Sequence, residues 1–143
     1  MILLDTDHLS VLINRKSRHH GALAERLTTC GDPVISTTVV SAEEQCRGWL
    51  AGIRRARDVT GQVHAYSRLA ELFDFLGSWQ LALFDEAAAE EFRKLRASRI
   101  RVGAQDLKIA AIALINDALL LSANLRDFQN VRGLEVEDWL IKG

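Results

Sequence analysis

The sequence predicts an α/β fold. It reads as a single domain over residues 1–143, with a central, mainly parallel sheet of four to five strands flanked by helices. Three observations predict it. Short apolar runs alternate along the chain with longer segments of helical period. A length of 143 residues suits one domain and is small for two. Apolar residues at 48% and charged residues at 26% form a globular mixture, which excludes a disordered chain.

The elements follow in order. MILL (1–4) is too short for a helix and reads as a buried strand. Residues 7–14 have helical period, with Leu9, Leu12 and Ile13 on one face, and Ala22 to Leu27 form another short helix. The turn CGDP leads to VIST (34–37), a second strand. Ser41 stands three residues before Glu44, the capping-box spacing, and predicts a helix from there to about Ile53. Val63, Tyr66, Leu69, Leu72, Phe73 and Leu76 stripe a longer helix over 59–76, as core or as one wall of a groove, and Gly77 can end it. LALF (81–84) reads as a third strand, and Asp85 as the cap of a helix from Glu86 to about Arg96. Residues 107–115 are apolar apart from Lys108 and rich in alanine, which predicts a buried helix lying close to the sheet. ALLLSAN (118–124) supplies a fourth strand and Leu134–Val136 a short fifth. The single proline, Pro33, leaves long helices undisturbed.

The net charge of −1 announces no global attraction to nucleic acid. Arginines cluster at Arg54, Arg55 and Arg57, and again at Arg93, Arg96, Arg99 and Arg101 beside Lys94. Such clusters are solvated helix faces or phosphate contacts. Cys30 and Cys46 are too few for a disulfide framework and lack zinc spacing with His19 and His20. They read as free, buried thiols of a cytoplasmic protein. No run of the sequence has the composition of a leader or the ~18 apolar residues of a membrane span.

Acidic and amide residues fall where an open parallel sheet collects ligands, beyond the carboxyl ends of its strands. Asp5 ends the first strand. Glu44 lies in the first turn of the helix after the second, Asp106 opens the alanine-rich helix, and Asn124 and Asp127 follow the fourth strand. Asp7 reads as an N-cap and Glu43 as a solvated neighbour. Asp5 is the hardest to explain away, because a charge ending a buried strand loses several kcal/mol of hydration unless something compensates it. Three converging carboxylates repel: at ~5 Å and an effective dielectric of ~20, each pair costs roughly 3 kcal/mol. Hard oxygen ligands without Cys or His suit Mg²⁺, with Mn²⁺ as a substitute, and point to metal-assisted phosphodiester hydrolysis.

The segments LLDTDHLS, SAEEQCRGWL, GAQDLKIAAIAL, LLLSANLRDF and GLEVEDW resemble the ordered motifs of PIN-domain ribonucleases, most of all VapC-type toxins of toxin–antitoxin pairs. The resemblance covers about Ile2 to Trp139. It implies a parallel sheet wrapped by helices and a Mg²⁺-dependent endoribonuclease acting on RNA, often transfer RNA. Its three acids fall on Asp5, on Glu44 (in register with Gly48) and on Asp106. Its fourth-strand hydroxyl falls on Ser122 and its amide or acid on Asn124, with Asp127 as the alternative bearer of the charge. Ser122 or Thr6 would orient a carboxylate or water. It also implies a homodimer and an antitoxin partner laid over the acidic rim.

Two other readings compete. Asp5-Thr6-Asp7 has the Asp-x-Asp form that opens haloacid-dehalogenase-type phosphatases, although the later motifs of that family are missing. A catalytically inactive RNA- or protein-binding module is the other, with Asn124 the first sign of a lost acid.

Overall fold

The computed structural model describes residues 1–141. Its sheet has four strands, all parallel: β1 (Ile2–Leu4), β2 (Ile35–Thr37), β3 (Leu119–Leu121) and β4 (Glu135–Glu137), in the order β2-β1-β3-β4. Seven helices complete it: α1 (Thr6–Ile13), α2 (His20–Thr29), α3 (Val39–Arg55), α4 (Val59–Gly77), α5 (Glu86–Ala97), α6 (Ala104–Ile115) and α7 (Leu125–Phe128).

Alternation along the strands sorts the core into two layers. Ile2 and Leu4 of β1, with Leu121 of β3, pack against Leu9 of α1 and Leu23 and Leu27 of α2. Leu3 and Leu120 point the other way, into a core built from α6, Ala88 and Leu95 of α5, and Phe128. Helix α6 is buried along Leu107 and Ile109–Ala113, and its alanines let it lie on the sheet as their pattern predicts.

LALF is not a strand. Ala82 makes one bridge to Thr38, through Val39 N–H to the Ala82 carbonyl and Ala82 N–H to the Thr37 carbonyl, both 2.9 Å. The pairing stops there because Thr38 turns the chain into α3. Helix α3 also starts earlier than the capping-box spacing suggests. Thr38 is the cap, accepting from Ser41 N–H at 2.9 Å, so Ser41 lies inside the first turn and Glu44 in the second. Helix α4 ends at Gly77, as the sequence predicts. The helix runs through Gly77 with no left-handed residue, and Ser78 caps it. On α4, Leu72 is core, whereas Val63, Tyr66 and Phe73 are more than half exposed. Cys30 is exposed, contrary to the buried thiol expected, and Cys46 is half-buried.

Among the described residues no helix is long and apolar enough to cross a membrane.

Candidate active site

All four strands end on a common rung, Leu4 against Thr37 on one side and Leu121 on the other, with Glu137 beyond Leu121. The next residues, Asp5, Thr38 and Ser122, therefore emerge side by side at the carboxyl edge, tied by Asp5 N–H to the Leu121 carbonyl at 2.9 Å. Asp5 keeps extended backbone (φ −74°, ψ 171°) and continues the alternation of Leu3. That parity turns its carboxylate to the α6 side, where Asp106 stands in the first turn of α6.

Asp5 is buried, and both its oxygens are held. Ser122 Oγ donates to Oδ2 at 2.8 Å and Thr6 N–H to Oδ1 at 2.7 Å. Thr6 then reaches across to α3, where its Oγ1 donates to Glu44 Oε1 at 3.1 Å. Gln45 secures the same helix by donating to the Thr6 carbonyl at 3.1 Å and to Ser10 Oγ. On the other flank, the Asn124 amide donates to Asp106 Oδ2 and to Asp127 Oδ2, each at 3.1 Å, while Asn124 N–H donates to Ser122 Oγ at 3.0 Å. The structure thus gathers Asp5, Thr6, Glu44, Asp106, Ser122, Asn124 and Asp127 into one connected edge.

The electrostatics of this edge are unrelieved. Burial raises the proton affinity of Asp5, Glu44 and Asp106. The negative charges of Asp5 and Asp106 raise Glu44 further, and those of Asp5 and Asp127 raise Asp106. Among the described residues no Lys, Arg or His pairs with Asp5, Glu44, Asp106 or Asp127. The acids feel one another but do not close up: no three His, Cys, Asp or Glu side chains among the described residues stand near enough to grip one ion. Each carboxylate is held by its own neutral donor, and the Asn124 amide lies between Asp106 and Asp127.

Glu43 is not merely solvated. It accepts from Gln105 Nε2 at 3.1 Å and pairs with Arg47, which lowers its pKa and links α3 to α6 beside Asp106. Arg93 pairs with Glu86 at 3.3 Å and Glu90 at 2.9 Å, so the second arginine cluster is partly a self-compensated surface.

Asp7 is not the N-cap; Asp5 is. Asp7 Oδ2 accepts from Ala123 N–H at 2.9 Å, while Oδ1 accepts from His8 N–H at 2.6 Å and from the His8 ring. His8 is fully buried, and its Nε2 accepts from Trp139 N–H at 3.0 Å. Nε2 therefore carries the lone pair and Nδ1 the proton that it gives to Asp7. This chain of bonds fixes the β3–α7 loop, which bears Ser122 and Asn124, and docks the segment after β4. Sequence reasoning missed it because its partners lie 116 and 131 residues away. The polar His8 between apolar-periodic positions was the available signal. With both oxygens engaged, Asp7 is poorly disposed to serve as a phosphatase acid/base.

The fold is shared with solved toxin–antitoxin structures. A chain of VapBC2 from Rickettsia felis, bound to a DNA fragment from its promoter, aligns with a TM-score of 0.73 at 22% identity, covering 97% of this chain and 99% of that one. A chain of DNA-bound VapBC from Salmonella typhimurium gives 0.75 at 23% identity, over 96% and 97%. VapC20 from Mycobacterium tuberculosis, a sarcin-ricin loop cleaving toxin, gives 0.57 at 19% identity, over 90% and 93%. No family model and no curated protein matches the sequence. At these identities the likeness defines the fold, which is the PIN fold of VapC-type chains.

Proposed function

We propose that this protein is a divalent-metal-dependent endoribonuclease that acts as the toxin of a VapC-type toxin–antitoxin pair. One observation carries the reading. Three carboxylates from three separate elements meet the carboxyl edge of a parallel sheet with no cationic side chain to balance them. Such an arrangement is unfavourable in a merely structural role.

The donor set is all oxygen and fits Mg²⁺ or Mn²⁺. Asp5, Glu44 and Asp106, which as placed do not stand near enough to grip one ion, would have to draw together to hold it, with Asn124 or Asp127 completing the set. When bound, such a cation supplies the positive charge that lets these acids coexist and that eases charge development on a phosphodiester. The chain's own groups set the stage. Ser122 and the Thr6 amide fix the plane of the Asp5 carboxylate, and the Thr6 hydroxyl proton fixes one oxygen of Glu44. Asn124 orients Asp106 and Asp127 against one another. RNA is the substrate, a second copy of the chain completes a homodimer, and an antitoxin covers the acidic edge. The complexes named above support the last of these.

An inactive binding module is the alternative that Asn124 favours, since an amide stands where a fourth charge would tighten a second cation. Titration of Mn²⁺ into purified protein separates the two. Binding that disappears in Asp5→Asn and Asp106→Asn, with RNA cleavage abolished by EDTA, is the expected result. Absence of Mn²⁺ binding would leave only the module.

A further inference from the structure

A groove leads away from the acidic edge, between α1 and the α3–α4 pair. It begins as a shallow cavity of about 290 Å³ lined by Thr6, Glu44, Gln45, Gly48 and Trp49. Gln45 and Trp49 also line the next cavity, of about 320 Å³, which reaches His64 and Arg68. Ile13, Asn14 and Arg68 then pass into a third, of about 550 Å³, that opens beside Arg15 and Lys16. Helix α1 has eight residues and is about 12 Å long, so the groove is long enough to take several units of an extended polymer.

We propose that this groove holds the single-stranded RNA next to the cleaved bond, with Trp49 as a stacking platform for one base and Arg15 and Lys16 as phosphate contacts. The inference rests on the ribonuclease reading above. Four features select a nucleic acid strand. The first cavity is lined by Glu44 and Thr6 and shares Gln45 and Trp49 with the next, so an occupant of the row lies beside the scissile phosphate. Its first wall is an indole, half-buried and braced edge-on by His64, with ring centroids 6.4 Å apart at 77°. The glycine before it leaves the entrance open, because a Cβ on Gly48 would meet nothing within 4 Å. At the far end Arg15 and Lys16 are exposed and make no ion pair among the described residues, while Glu71 is already taken by Arg68 at 2.7 Å. An apolar, aromatic step followed by free cations is the arrangement that binds single strands without reading their sequence. Asp74, also at that end, opposes phosphate and weakens the site.

The test is binding of labelled single-stranded oligo(A), and of an abasic ribose-phosphate strand of equal length, by fluorescence anisotropy in EDTA so that neither is cut. Trp49→Ala should weaken oligo(A) by about 5- to 150-fold and leave the abasic strand unchanged. Trp49→Phe should keep most of the affinity, whereas Trp49→Leu, which fills the space without a π-face, should not. Arg15→Ala and Lys16→Ala should weaken both strands and each lower the salt slope by about one. Asp74→Asn should tighten both. Oligo(A) binding by Trp49→Leu equal to wild type overturns the proposal, while Mg²⁺-dependent cleavage by the wild type still sustains the ribonuclease reading. Loss of antitoxin capture alone, with RNA binding intact, assigns the groove to a polypeptide and overturns it too. Wild type that neither binds nor cuts RNA removes both readings.

Discussion

Asp5 and Asp7 are separated by one residue and leave β1 at the same edge, yet they enter opposite kinds of environment. Around Asp7 both carboxylate oxygens are bonded: a backbone N–H from Ala123, two donors from His8, and on the far side of His8 the Trp139 N–H, with Asp138 Oδ1 at 3.5 Å. Around Asp5 the donors are likewise neutral, but the carboxylate is buried and its neighbours are more acids. The first cluster adds to stability because nothing in it is left unmatched. The second subtracts from it, and its proton affinities are raised accordingly. A fold maintains such a liability where the edge has work to do, and it uses the satisfied cluster next door to keep the loop carrying Ser122 and Asn124 in place.

The comparison can be broken most severely at the acids. Asp106→Asn should lower RNA cleavage by more than the roughly 100-fold typical of supporting residues, measured as kcat/KM on a labelled RNA. The same variant should be no less stable than wild type without metal. Equal activity would place Asp106 outside the chemistry.

Next comes the satisfied cluster. His8→Ala removes a buried ring and strands Asp7 and the Trp139 N–H, and should destabilise by about 3 kcal/mol in urea unfolding. Loss of less than about 1 kcal/mol would mean that the cluster is not holding the edge.

A smaller effect concerns pH. Asp5, Glu44 and Asp106 are raised above their ordinary values of 3.8, 4.5 and 3.8 in the folded state. Raised folded values mean that the native state binds protons more tightly than the unfolded chain. Their contribution is full below about pH 4 and is lost as pH rises through the folded values. In EDTA, the Tm of Asp106→Asn minus that of wild type should therefore grow from pH 4 towards pH 7. A constant difference would show that Asp106 is not raised in the folded state.

The smallest is Ser122→Ala. It deletes one buried hydroxyl that donates to Asp5 and accepts from Asn124 N–H, for about 1 kcal/mol of stability. A larger relative loss of cleavage than of stability would mark the hydroxyl as a positioning group.

Much of this was legible in the order of residues. MILL ending on Asp5, the Asp85 cap and the alanine-rich helix after Asp106 each rest on local rules of period and capping, and each stands where those rules put it. The start of α3 was not legible. In STTVVSAEE, Thr38 and Ser41 are both competent caps, and the bridge to Ala82 decides for Thr38. LALF has the composition of a strand, but its partner turns into a helix after one rung. Asp7 was misread because a cap is a local explanation, whereas Ala123, which binds Asp7, and Trp139, which binds its partner His8, come from the last third of the sequence. The outward display of Val63, Tyr66 and Phe73 likewise depends on how α4 sits against α3, which apolar period alone does not fix.

The strand order β2-β1-β3-β4 has a kinetic consequence. Strand β1 precedes the other three in the chain yet lies in the interior of the sheet, and its β3 neighbour is separated from it by more than a hundred residues. A nascent chain on the ribosome has Asp5 and Glu44 well before it has Ser122 to hold Asp5 or Trp139 to seal His8. Such long-range closure folds slowly. The acidic edge is therefore completed only once β3 has paired with β1 and brought Ser122 to Asp5.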